Sequence, residues 1–145
     1  MKKNTDISFN PTGSDIIIKI KYTGLIAGYT VYKFYEPSTI KPTFSKIVDI
    51  QDEQANVFNV PTQHLQDDSM AVFRVNFGGV DPENFNTFKI GVKIYQGDQL
   101  IGEADDENKK NSTSRFIKSI DIIICNRTNV TQFIIRFTSS AKRFL

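Results

Sequence analysis

This chain of 145 residues has no tryptophan, one histidine, one cysteine and only a small excess of positive charge. Each shortage removes a class of function. The lone Cys125 leaves no intramolecular disulfide, and in the run Ile122-Ile123-Ile124-Cys125 it reads as a small buried thiol. Zinc would have to be held by His64 with carboxylates or Cys125, and no metal-ligand spacing supports that set. A Ser-His-Asp triad would need the same His64 beside Asp67 or Asp68, and no G-x-S-x-G elbow presents a serine. Gly78-Gly79 lacks the spacing and the following Lys-Ser or Lys-Thr of a phosphate loop. Without tryptophan, a sugar site would have to stack its ring on tyrosine or phenylalanine. The net charge of +2 gives too weak a field for a general nucleic-acid binder. No apolar stretch approaches the ~20 residues of a membrane helix.

Met1-Lys2-Lys3 is followed by Asn4-Thr5-Asp6 and not by the apolar h-region of ~7–15 residues that secretion needs. The expectation is a chain that is cytoplasmic when synthesised, with export by a signal-less route still open to it. The sequons at Asn111, Asn126 and Asn129 then read as chance matches in a chain rich in Asn, Ser and Thr. No catalytic set and no cofactor motif emerges, so the reading is non-enzymatic.

What the chain does have is strand signal. It holds 12 phenylalanines and many isoleucines, and aromatic and β-branched side chains suit a pleated surface. Apolar and polar residues alternate from Asp15 to Thr138, which puts one set in a core and the other toward water. Ile16, Ile18, Ile20 and Tyr22 alternate with Lys19 and Lys21, and Thr23-Gly24-Leu25 suggests a hairpin into Ile26–Glu36. Pro37–Pro42 reads as a loop. Strands follow at Phe44–Ile50 and Ala55–Val60. Thr62–Ser69 suggests one helical turn, and Met70–Phe77 a strand ended by Gly78-Gly79. Phe88–Gln96 turns at Gly97-Asp98 into Leu100–Ala104, the clearest hairpin signal. Asp105–Ser114 reads as an exposed loop, with further strands at Phe116–Cys125 and Val130–Thr138. The expected fold is all-β, a single antiparallel β-sandwich of eight or nine strands, with a closed β-barrel as the alternative. One domain covers 1–145, with 1–14 as a polar lead and 139–145 as a short tail.

Two kinds of site follow. Acidic turns offer calcium ligands, with Asp81, Asp105 and Asp106 as the better candidates, although no EF-hand spacing occurs. Basic residues near Phe116 and Phe144 read as solvated, because Asp105, Asp106 and Glu107 oppose the first group. The stronger signal is aromatic. In Tyr29-Thr30-Val31-Tyr32-Lys33-Phe34-Tyr35, Tyr29, Val31 and Tyr35 share one face and Tyr32 and Phe34 the other. Ile122 and Ile124 belong to a second strand that is apolar on both faces. A strand of that kind is covered on both sides by its own fold, or its second side meets a partner. Tyr29, Tyr32, Phe34, Tyr35, Ile122 and Ile124 are therefore the expected interaction residues, with a protein partner or self-association implied. By analogy of fold class alone, a structural subunit of a phage, secretion or surface apparatus fits. The ends, Ser8–Asn10 and Arg143–Leu145, could add to a neighbour's sheet. The competing expectation is a module binding calcium, carbohydrate or lipid through Pro37–Pro42, Asp81–Asn86 and Asp105–Ser114 at one end.

Overall fold

The computed structural model of the chain describes residues 2–51, 54–80, 88–108 and 128–140. Nine strands fall within them: β1 Lys2–Phe9, β2 Ile16–Thr23, β3 Leu25–Tyr35, β4 Phe44–Asp49, β5 Ala55–Val60, β6 Met70–Val80, β7 Phe88–Gln96, β8 Gln99–Asn108 and β9 Thr128–Ser139. A 3-10 turn lies at Thr62–His64. The strands form a five-stranded sheet, in order β1-β9-β6-β3-β4, and a four-stranded sheet, in order β5-β2-β7-β8. Neither closes on itself, so the barrel alternative is set aside. Every pairing is antiparallel except β1 with β9.

Alternation decides which half of each strand is dry. Ile16, Ile18, Ile20 and Tyr22 of β2 are fully buried, while Lys19 and Lys21 between them are exposed. Phe88, Ile90, Val92 and Ile94 do the same on β7, Phe73, Val75 and Phe77 on β6, and Phe133, Ile135 and Phe137 on β9. These side chains meet in one core cluster. Burying each large apolar side chain is worth roughly 1.5–3 kcal/mol relative to leaving it exposed.

The two sheets touch through rings. Tyr32 of β3 lies directly opposite Phe73 of β6 and stacks on it, with centroids 4.7 Å apart and planes within 6°. Phe58 of β5, from the other sheet, meets both edge-on at 5.4 and 5.0 Å. Phe77 and Phe88 make a second cross-sheet contact at 4.9 Å.

Two polar pairs also bridge the sheets. The Tyr22 and Thr30 hydroxyls share a hydrogen bond of 2.5 Å, and the Asn56 amide donates to the Tyr22 oxygen at 3.1 Å. Thr131 Oγ1 of β9 donates to the buried Asp106 Oδ2 of β8 at 2.7 Å. Pairing matters here, because a buried polar group without a partner costs ~1–3 kcal/mol.

Four expectations need correction. The polar lead is not a lead: its residues Lys2–Phe9 form β1. Ile7 and Phe9 are buried in the core, and Lys2, Asn4 and Asp6 are exposed. An edge strand with a polar first half shows only weak apolar alternation. The expected β2–β3 hairpin does not form either. Thr23 pairs with Lys89 in one sheet and Leu25 with Val80 in the other, so the link changes sheets. Gly24 makes that step at φ 80°, a left-handed conformation that glycine adopts without a Cβ penalty. Third, β6 continues through Gly78-Gly79 to Val80, carried by pairing with β3 and β9. Fourth, β8 runs to Asn108, so the first residues of the expected loop 105–114 are strand. The Gly97-Asp98 hairpin joins β7 to β8 as expected. The expected strand Phe116–Cys125 lies outside the described residues.

Tyr32 carries the one aromatic hydroxyl that is buried without a hydrogen-bond partner among the described residues. Replacing it by phenylalanine keeps the ring stack and removes that cost. Tyr32→Phe is expected to raise unfolding free energy by about 1 kcal/mol in a denaturant titration.

Burial also pushes the Tyr32 and Tyr22 hydroxyls above the ordinary phenol value of 10.0, and at Tyr22 the bonds from Thr30 and Asn56 pull partly back. Above pH 10 the unfolded chain releases protons that the folded chain still holds. Stability is therefore unaffected by these groups below that pH and falls as pH climbs through it. A melt series from pH 8 to 11 is expected to show this decline, with a shallower slope in Tyr32→Phe.

Candidate interaction surface

The faces turned away from the core differ sharply between the two sheets. On the four-stranded sheet, Lys19, Lys21, Lys89 and Lys93 are exposed beside Glu103, Asp105 and Glu107. Lys93 lies directly opposite Glu103, and Lys89 opposite Glu107 with an ion pair of 3.2 Å. Lys19 sits over the Tyr95 ring, 5.2 Å from its centroid. Cross-strand opposite charges of this kind stabilise a sheet by roughly 0.2–1 kcal/mol per pair and keep it wet. The same face also carries Ile17, Tyr95 and Leu100 in one row and Val57 beside Lys19.

The outer face of the five-stranded sheet is built from other residues. Tyr29, Val31, Lys33 and Tyr35 of β3 lie opposite Asn76, Arg74, Val72 and Met70 of β6. One strand further, Arg74 lies opposite Gln132 and Val72 opposite Ile134 of β9. On the other side Val31 lies opposite Ile47 of β4. Tyr29 is 43% exposed and Ile47 67%. At the centre of this face is a half-open hollow of about 330 Å³, lined by Tyr29, Val31, Lys33 and Tyr35 of β3, Val72, Arg74 and Asn76 of β6, and Gln132 of β9. Towards β1, Arg136 pairs with Asp6 at 3.2 Å. Lys33 and Arg74 form no ion pair among the described residues. The face mixes tyrosine and aliphatic side chains with Asn76, Gln132 and two cations, Lys33 and Arg74, that are in no ion pair among the described residues.

The structure divides the expected interaction residues. Tyr29 and Tyr35 reach the outer face and line the hollow. Tyr32 and Phe34 do not: they are 2% and 0% exposed, in the core. That is a correction, and its cause is strand parity. β3 lies between β6 and β4 in its sheet, so one half of its alternating residues must pack inward, and the half that does is the one holding Tyr32. Ile122 and Ile124 lie outside the described residues.

Of the calcium candidates, Asp105 and Asp106 do not converge. Asp81 lies outside the described residues. Asp105 is exposed and Asp106 buried, on opposite faces of β8, with Asp106 committed to Thr131. Among the described residues no group of His, Cys, Asp or Glu is placed to hold a metal. Other acidic side chains serve the backbone. Asp67 accepts from the Ser139 N–H at 2.5 Å, and Asp15 from the Thr62 N–H at 3.0 Å. His64 has its Nδ1 3.9 Å from Glu36 Oε1 and its ring edge toward Phe44.

Sequence reasoning missed Val72, Arg74, Gln132 and Ile47. A signal was there for β6: Met70 and Val72 share the parity of Arg74, so this strand is also apolar on both faces. No helix among the described residues is long and apolar enough to cross a membrane. No family model matches the chain, and no curated protein or solved structure matches it.

The divergence of Asp105 and Asp106 yields a direct expectation. A ligand that binds only the native state raises stability by RT ln(1 + [L]/Kd). Asp105→Asn and Asp106→Asn are therefore not expected to share the loss of a calcium-dependent rise in melting temperature, and a rise abolished by each of them would contradict this placement.

Proposed function

We propose that the chain is a non-enzymatic β-sandwich subunit of a larger assembly, and that it binds a protein partner through the outer face of its five-stranded sheet. The observation that carries this reading is the apolar character of outward positions in three adjacent strands: Val31 and the two tyrosines of β3, Val72 of β6 and Ile134 of β9. An antiparallel sheet that faces water alternates apolar-in and polar-out, as the four-stranded sheet does where Lys89 and Lys93 of β7 face Glu107 and Glu103 of β8. Here the outward set is half apolar, and covering it removes that area from water at roughly 25 cal/mol per Å². Arg74 stands between Val31 and Gln132 at the centre, where a planar guanidinium serves both stacking and bidentate hydrogen bonding. Tyrosine and arginine are the residue types that most often dominate binding energy at protein interfaces.

The experiment is fractionation of native-host extract containing the tagged chain. The expected result is elution well above the mass of a dimer. Tyr29→Ser combined with Arg74→Glu is expected to release the chain from that fraction with an unchanged melting temperature, since Tyr29 and Arg74 lie outside the core. Elution of the unaltered chain at its own mass of 16.5 kDa would sink the reading.

A further inference from the structure

Among the described residues the sheets have four edges, β1 and β4 in one and β5 and β8 in the other. An edge strand presents unpaired N–H and C=O groups, and folded proteins usually blunt it with charge, proline, a bulge or a cover. Three of the edges are treated so. β1 carries Lys2, Lys3 and Asp6, and β4 carries Lys46 and Asp49. β8 carries Glu103, Asp105, Asp106 and Glu107, and its register with β7 shifts at Ile94/Tyr95. β1 and β8 also crowd each other, since a Cβ at Gly102 would overlap the Ile7 side chain.

β5 is different. Its sequence, Ala-Asn-Val-Phe-Asn-Val, has no charge, no proline and no glycine. Its register with β2 is unbroken from Ala55 to Val60. Phe58 and Val60 anchor it in the core, while Ala55 and Asn59 are exposed and Val57 is 49% exposed on the outer side. The strand is thus already ordered, and pairing its free edge costs little further backbone entropy.

We propose that the edge of β5 that is unpaired among the described residues pairs with β5 of a second copy of this chain, antiparallel about a two-fold axis at Val57, so that two four-stranded sheets become one continuous sheet. This rests on the reading of the chain as an assembly subunit and names a contact separate from the outer face of the other sheet. The partner is a second copy because a neutral strand can oppose itself. Centring on Val57 sets Ala55 opposite the second copy's Asn59 and Asn56 opposite its Phe58, and keeps both Phe58 rings on the core side. The half-exposed Val57 is then covered by its own equivalent. The nearest like charges in that row are the two Lys19 side chains. Their backbones are separated by three strand spacings of ~4.8 Å, about 14 Å, which exceeds the screening length of ~8 Å at physiological salt. A junction of two short strands buries less than the ~800 Å² per partner of a standard interface, so the pairing is reversible and follows concentration.

The test is sedimentation or light scattering of the purified chain across a concentration series. Mass is expected to rise from 16.5 kDa toward twice that value. Val57→Lys and Val57→Asp, each alone, place like charges across the axis and are expected to stay monomeric at every concentration; Val57→Asp, opposite Lys19 of β2, is expected to keep its melt, and Val57→Lys, opposite the same lysine, to melt slightly lower. An equimolar mixture of the two is expected to regain the dimer, because lysine then faces aspartate. Ile47→Lys, on the β4 edge, is expected to leave association as it was. A chain that is monomeric throughout, Val57 variants that still associate, or loss of the dimer in Ile47→Lys alone would each overturn the proposal. A strictly monomeric purified chain that still elutes above dimer mass in native extract would refute β5 pairing and leave the outer-face reading standing.

Discussion

The Tyr32–Phe73 stack, wedged by Phe58, is the constraint on which the rest of this structure depends. Tyr32 and Phe73 are directly opposite on adjacent strands, and Phe58 comes from the facing sheet. Aromatic pairs of this kind add ~0.5–1.5 kcal/mol each beyond the area they bury. The geometric consequence is larger than the energetic one. Once Tyr32 and Phe73 point inward, period-two geometry sends Val31, Lys33, Val72 and Arg74 outward. The core stack therefore composes the outer surface as well. The same three rings join β5 to the five-stranded sheet, which is why an edge strand without charge is nevertheless held in place.

The polar bridges act at other points of the same core. Tyr22, Thr30 and Asn56 link β2, β3 and β5. Asp106 and Thr131 link β8 to β9. Both are cross-sheet pairs, so each fixes the sliding of one sheet on the other in a way that non-directional apolar contact does not. Asp106 looked like a loop carboxylate in the sequence and is instead an internal fastening.

The two outer faces differ in composition. The lysine and carboxylate rows of the four-stranded sheet neutralise each other across strands. The five-stranded sheet puts valine, isoleucine and tyrosine outward around an arginine and a lysine that find no carboxylate among the described residues. A partner that covers this face would bury apolar area and meet two cations, while an uncharged edge at β5 offers backbone hydrogen bonds.

By itself, the sequence determined the all-β class, most strand positions, the Gly97-Asp98 turn and the facing of alternate residues. All of these follow from local periodicity and turn chemistry, which neighbouring residues carry between them. It also showed that β3 is apolar on both faces. Only the tertiary structure decided which face of β3 is core, because parity groups Tyr29 with Tyr35 and Tyr32 with Phe34 without saying which pair points inward. It likewise decided that Lys2–Phe9 is a strand beside β9, that β2 and β3 belong to different sheets, and that Asp105 and Asp106 diverge. Each of these rests on pairing between residues far apart in the chain. Long-range pairing is set by the packing of the whole core, and no local pattern encodes it.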